Sequence, residues 1–267
     1  MTNKLQVGSA QVAYQTSGLG PGVLLIHGTG GNARATWSEL TTKLSDHYKV
    51  VSADYSGSGE TQDTGEDLTL DDLVMQNVEV ALHEGLEEFH VVGYSLGAVV
   101  ATAIAALYPD RVKSVTMVGG WVESDSAMAL QFHLWRDLFR TDRRLFAELV
   151  AHTGFSPGFY QQYQSIGELK ELCAVMADNF APGTDRQSDL DAQINIRPLL
   201  NQIAAPALVL GMAHDRIVPV HHAKELASLI PGAAYREIDS GHLIRLENMS
   251  TLVEEVSAFI IQHETGL

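Results

Sequence analysis

Three side chains of this sequence combine residue type and position in the way nucleophilic catalysis needs. Ser95 stands in Gly93-Tyr94-Ser95-Leu96-Gly97, between an apolar run at 89–94 and an apolar helical stretch at 96–108. Small residues on both sides let a strand turn sharply into a helix, so the hydroxyl stands exposed above the sheet edge. The helix N-terminus then aims N–H groups and partial positive charge at any anion that develops there. A bare G-x-S-x-G arises by chance, and a Ser that merely caps a helix is the competing account; the strand before it and the helix after it favour the nucleophile.

A Ser hydroxyl is inert without a base, and the base needs a partner that holds its tautomer. Eleven histidines compete. His242, in Asp239-Ser240-Gly241-His242, follows the last strand pattern and precedes the last helix, where a loop presents an imidazole over the strand ends. His27 reads as a packing residue beside a glycine loop, and His221 and His222 open a helix and are expected to face water. Asp215 follows a strand directly, in His214-Asp215-Arg216-Ile217-Val218-Pro219, and is the expected acid. Glu123 and Asp125, shortly after Gly119-Gly120, are rivals that lie farther into a helical region. An oxyanion needs two converging donors. Leu96 offers its backbone N–H next to the nucleophile. Thr29, in His27-Gly28-Thr29-Gly30-Gly31, is expected to supply the second, with Gly30 as the alternative.

The elements that must position these residues alternate. Residues 5–7 and 11–15 read as a hairpin around Gly8-Ser9. The continuous apolar run at 23–26 has the pattern of a strand buried on both faces, and further strands are expected at 48–53, 89–94 and 112–118, that at 89–94 buried as well. Helices are expected at 34–44, 69–84 and 96–108, the second opened by a capping box from Thr69 to Asp72. This spacing predicts an α/β fold with a doubly wound, mostly parallel sheet. From 121 to about 200 only helical patterns occur, with Leu134, Leu138, Leu145, Phe146 and Leu149 as apolar positions. Strands return at 207–212 and 234–238, before a last helix at 249–261. The expected organisation is a core of residues 1–120 and 201–267 interrupted by a helical insertion at 121–200.

Composition narrows the function. The chain has 267 residues, 45% of them hydrophobic, which is enough for a substantial core. Its net charge of −16 opposes binding to nucleic acid or anionic lipid, and no run approaches membrane-spanning length. With a single Cys173 and no signal-like N-terminus, a soluble cytoplasmic protein is expected. The glycine loop fails the dinucleotide fingerprint, and the histidines lack metal-ligand spacing, so no cofactor and no metal are expected. The expected partner is a small-molecule substrate, with a homodimer left open.

His27-Gly28-Thr29-Gly30, Asp54-Tyr55-Ser56-Gly57-Ser58-Gly59, Gly93-Tyr94-Ser95-Leu96-Gly97, Asp215-Arg216-Ile217-Val218-Pro219 and Gly241-His242 occur in the order seen in α/β-hydrolase fold proteins. The sequence resembles their esterase, lactonase and carbon–carbon hydrolase branch over about residues 5–120 and 200–262. The resemblance implies Ser95, Asp215 and His242 as triad and an inserted helical cap, or lid, over the pocket. It implies hydrolysis of a carboxylic ester or lactone through an acyl-enzyme. Epoxide hydrolases and haloalkane dehalogenases of similar fold carry Asp where Ser95 stands, so those activities are disfavoured. Carbon–carbon cleavage, thioester hydrolysis and a non-catalytic binding role are the alternatives; the missing Pro in the glycine loop lowers the first. Ten of the chain's 19 aromatic residues fall at 121–180. Most are expected to pack, and the rest to favour a hydrophobic or cyclic substrate. Arg136, Arg140, Arg143 and Arg144 are expected to pair with local carboxylates.

Overall fold

The computed structural model describes residues 2–264; residue 1 and residues 265–267 of the expected core segments lie outside it. β1 (Asn3–Val7) and β2 (Ala10–Ser17) form an N-terminal antiparallel hairpin that turns at Gly8-Ser9, and β2 pairs antiparallel with the next strand of the sheet. Then β3 (Gly22–Ile26), α1 (Ala33–Leu44), β4 (Lys49–Asp54), α2 (Leu70–His83), β5 (Phe89–Tyr94), α3 (Leu96–Leu107) and β6 (Val112–Val118) alternate as strand and helix. Four helices follow, α4 (Ser126–Thr141), α5 (Arg143–Gly154), α6 (Ile166–Asn179) and α7 (Thr184–Asp191), with 3-10 turns at Phe159–Gln162 and Arg197–Gln202. The chain closes with β7 (Ala207–Met212), α8 (Val220–Leu229), β8 (Ala234–Ile238), α9 (Ile244–Glu247) and α10 (Met249–Glu264).

One eight-stranded sheet has the order β1-β2-β4-β3-β5-β6-β7-β8, parallel from β4 to β8. Helices cover both faces, which is why β3, β5 and β7 are buried along their whole length and read as apolar runs, broken in β5 only by His90. Trp37, Leu40 and Leu44 of α1 meet Leu252, Val256 and Phe259 of α10 in one apolar layer. The apolar faces of α2, α3 and α8 make the other, which continues into the rings of α4 and α5. Because β4 lies on one side of β3 and β5 on the other, the chain changes direction there. A crevice opens at the carboxyl ends of β3 and β5, the place where such sheets bind ligands.

α2 starts with the expected capping box: Thr69 accepts from the Asp72 N–H while the Asp72 carboxylate accepts from the Thr69 N–H. The apolar phase expected for residues 134–149 needs correction. Leu134 and Leu145 are 45% and 50% exposed. Met128, Phe132, Trp135 and Phe139, at spacings of four, three and four, define the buried face of α4, and Phe146, Ala147 and Val150 that of α5. The large rings decide which side of the helix packs. An isolated bridge between Glu123 and Asn195 also joins the two ends of the helical block.

Candidate active site

The turn from β5 into α3 is built by exclusion of side chains. A Cβ on Gly93 would lie 2.0 Å from the Gly97 carbonyl oxygen, and one on Gly97 only 2.2 Å from that of Ile26. Between them Ser95 takes φ 56° and ψ −121°, and it is the sole non-glycine residue with positive φ among those described. That conformation costs on the order of 1–3 kcal/mol and persists only where the surroundings impose it. Here the Ser95 N–H donates to the Val118 carbonyl at 2.8 Å and the Ser95 carbonyl accepts from Ala98 at 2.8 Å.

The loop after β8 brings His242 Nε2 to 3.0 Å from Ser95 Oγ, and His242 Nδ1 lies 2.6 Å from Asp215 Oδ2. Asp215 is itself held, because its Oδ1 accepts from the Ile217 and Val218 N–H groups at 2.9 and 2.8 Å. The Tyr94 hydroxyl donates to the His242 carbonyl at 2.7 Å, with its ring 5.3 Å from the imidazole. All three residues are buried. The rival acids are elsewhere: Glu123 pairs with Arg197, and Asp125 caps α4. Gly119, where an acid after β6 would stand, has φ 60°, and a Cβ there would be 2.7 Å from Met212 Cε.

Leu96 opens α3 beside the serine. In the glycine loop Gly30 is excluded as a free donor, since its N–H donates to Gln187 Oε1 at 2.8 Å. Thr29 lines the cavity, and its hydroxyl donates to Asp191 Oδ2 at 2.6 Å. His27 lies behind the loop, stacked on Tyr55 at 4.0 Å, and burial holds its imidazole below the usual pKa.

Several contributors carry no sequence motif. Gln187 on α7 also donates to Ser58 Oγ at 2.8 Å, and the Ala181 and Gly183 N–H groups donate to the Gly30 and Gly57 carbonyls. The segment from 181 to 191 thus braces both glycine loops. Asp191, wholly buried, has one oxygen without a partner, and burial pushes its carboxyl up to about 8 against the lowering effect of the Thr29 hydrogen bond. Glu247 accepts from the Ser156 and Gly241 N–H groups at 2.9 and 3.2 Å, which ties the His242 loop to the end of α5. Only the adjacency of Glu247 to the Gly241-His242 motif hinted at such a part.

Ser95, His242 and Thr29 open onto a cavity of about 260 Å³. The helical block contributes Trp135, Val150, Leu172, Val175, Met176, Asn179 and Phe180, so two of its ten aromatic residues line the space and four of its seven lining side chains are aliphatic. The other rings pack, as in the chain of contacts from Trp121 through Phe132 and Trp135 to Phe146. Arg136 and Arg140 pair with Asp137, Asp185 and Asp189 as expected, whereas Arg143 lies over the Phe139 ring, 4.4 Å from its centroid; none of these three lines the cavity. His222 corrects its expectation: it is buried, and with His221 and Asp125 it forms a cluster of potential metal ligands that the spacing of histidines alone did not suggest. Among the described residues no helix is long and apolar enough to cross a membrane.

Comparison with known proteins agrees with this architecture. The profile of the family described as alpha/beta hydrolase fold matches residues 21–248. The pyrrolizixenacetamide deacetylase of Xenorhabdus hominickii is 38% identical over 263 residues, 98% of this chain and 99% of that protein. A pimeloyl-[acyl-carrier protein] methyl ester esterase of Aliivibrio fischeri is 27% identical, covering 94% of this chain and 97% of its own. Among solved structures, the enol-lactonase of Burkholderia xenovorans LB400 superposes with a TM-score of 0.84 at 22% identity, over 97% of this chain and all of that one, a likeness of fold. With a sheet of this order, a sharp serine turn at its crevice and matches that run nearly end to end, the chain belongs to the α/β-hydrolase fold family and is a hydrolase.

Proposed function

We propose that the protein hydrolyses a carboxylic ester or lactone of a hydrophobic small molecule through an acyl-enzyme on Ser95. The observation that carries this reading is the continuous path from Ser95 Oγ to His242 Nε2 (3.0 Å) and from His242 Nδ1 to Asp215 (2.6 Å). Ser95 Oγ attacks the carbonyl carbon while its proton passes to His242 Nε2, and Asp215 stabilises the imidazolium that forms. The tetrahedral oxyanion accepts from the N–H groups of Leu96 and Thr29. Collapse breaks the bond to the leaving oxygen, which takes the proton from His242. Water, deprotonated by the same imidazole, then cleaves the acyl-Ser95 ester and restores the hydroxyl.

A second reading, hydrolysis of an N-acetyl amide, is favoured by the 38% identical relative whose name is that of an acetamide deacetylase. The same steps apply, with His242 protonating a leaving nitrogen. Ser95→Ala is expected to lose nearly all turnover of p-nitrophenyl acetate with unchanged circular dichroism, and the wild-type chain to react with a fluorophosphonate at Ser95. Near-wild-type turnover by the variant removes Ser95 as nucleophile, and failure of a folded chain to label favours a non-catalytic binding role. Side-by-side kcat/KM values for a matched aryl acetate and aryl acetamide separate the two readings.

A further inference from the structure

Away from the serine, a buried imidazole stands without a hydrogen bond. His222, near the start of α8, is 4% exposed, and neither ring nitrogen has a hydrogen-bond partner among the described residues. Buried polar atoms are almost always paired, and an orphan in a native fold asks for an explanation such as a bound ion. Its Nε2 points at Asp125 Oδ2, 3.5 Å away, which is long for a hydrogen bond. That separation is close to the edge of a tetrahedron of ligands held about 2.0–2.1 Å from a metal, roughly 3.3 Å. The exposed ring of His221 stands beside it, centroid to centroid 4.2 Å, and donor atoms of all three residues lie within 4.8 Å of one another.

We propose that Asp125, His221 and His222 bind one divalent transition-metal ion of the zinc type, with the remaining position left to water. Two imidazoles and one carboxylate suit Zn2+, Ni2+ or Cu2+ and do not suit Ca2+ or Mg2+, which take oxygen ligands. The carboxylate is pre-positioned: Asp125 Oδ1 accepts from the Ala127 and Met128 N–H groups at 2.9 Å each, which fixes the side chain and leaves Oδ2 for the ion. The neighbouring carboxylates Glu123 and Glu225 are engaged by Arg197. Asp125 begins the helical block directly after β6, and the two histidines begin α8, just beyond the loop that carries Asp215. The ion therefore clips the start of the block to the sheet core. None of the three residues lines the cavity at Ser95, so the clip is structural.

The test uses the untagged full chain, stripped with a chelator. Titration with Zn2+ in a calorimeter is expected to give one equivalent bound and a raised melting temperature, and Co2+ the visible bands of a four-coordinate ion. Asp125→Asn keeps a side-chain oxygen for the helix cap while removing the charge, and His221→Ala alters an exposed residue, so both variants should fold. Each is expected to weaken Zn2+ at least tenfold and to abolish the thermal shift, with ester turnover in the absence of metal unchanged. His222→Ala should lose binding where it folds. Absence of stoichiometric binding, or equal affinity in wild type and both surface variants, would mean an adventitious ion only and overturn the proposal.

Discussion

At the scale of single residues, two buried carboxyls differ in what they bond to. Asp215 accepts from two backbone N–H groups and faces the imidazole, contacts that fix its carboxylate and orient His242. Asp215→Asn keeps the shape but presents the wrong partner to Nδ1, so kcat should fall on the order of 10³–10⁴-fold with the urea midpoint little changed. A mild loss would place the acid elsewhere. Asp191 has only the Thr29 hydroxyl, and its carboxyl sits at about 8 in place of the ordinary 3.8. Between those values the unfolded chain has released a proton that the folded chain retains, so rising pH lowers stability until the folded group ionises as well. Asp191→Asn should therefore match the wild type near pH 4 and gain on it by up to about 1.4 kcal/mol per pH unit towards pH 8. Urea unfolding of both chains at pH 5, 7 and 9 reads this directly, and a pH-independent difference would mean that the carboxylate is ionised in the fold.

At the scale of elements, α7 is the least expected contributor. It is a short helix of mostly charged and polar residues, yet Gln187 and Asp191 are wholly buried because they face the two glycine loops. Those loops are rich in glycine and cannot hold their own shape by side-chain packing. Hydrogen bonds from 181–191 to Thr29, Gly30, Gly57 and Ser58 do so instead. Gln187→Ala strands the buried Gly30 N–H and Ser58 hydroxyl. We expect a loss of about 1–3 kcal/mol of stability, together with a drop in kcat larger than any rise in KM, since the loop that carries Thr29 loosens. A variant with full kcat and lowered stability would restrict the brace to a structural part.

For the whole molecule, the cavity at Ser95 is formed where the sheet and the inserted helices meet. Ser95 and His242 come from the sheet, while Trp135, Val150, Leu172, Val175, Met176 and Phe180 reach over them from α4, α5 and α6 and the residue after it. On the proposed function the acyl group enters this cavity of about 260 Å³, where Val150 forms part of the wall. Val150→Phe narrows it from the helical side without touching the serine. Its kcat/KM for acetyl esters should stay within about threefold of wild type. For hexanoyl esters it should fall tenfold or more, about 1.4 kcal/mol of lost transition-state binding. Equal losses across the acyl series would show that Val150 supports the site without selecting what enters.

Much of the core and the spacing of its reactive residues could be read from local order alone. Ser95 and Asp215 each stand just beyond an apolar run and His242 just beyond a short strand pattern, beside glycines or a turn, and a strand end is a local feature that needs no knowledge of the partner strands. The same holds for the Thr69–Asp72 cap and for the hairpin at Gly8-Ser9. Three things depended on tertiary structure. Asp191 and Gln187 meet the glycine loop across 162 and 157 residues, and nothing in α7 marks it as the helix that docks there. The exposed face of Leu134 and Leu145 was chosen by rings packing between helices, a choice that periodicity leaves open when apolar residues occur on two sides. His221 and His222 are adjacent in sequence and lack ligand spacing, and only the approach of α8 to the start of α4 sets Asp125 beside them. Strand ends and caps are specified by the few residues that form them, whereas contacts between distant elements are selected by the collective burial of the core.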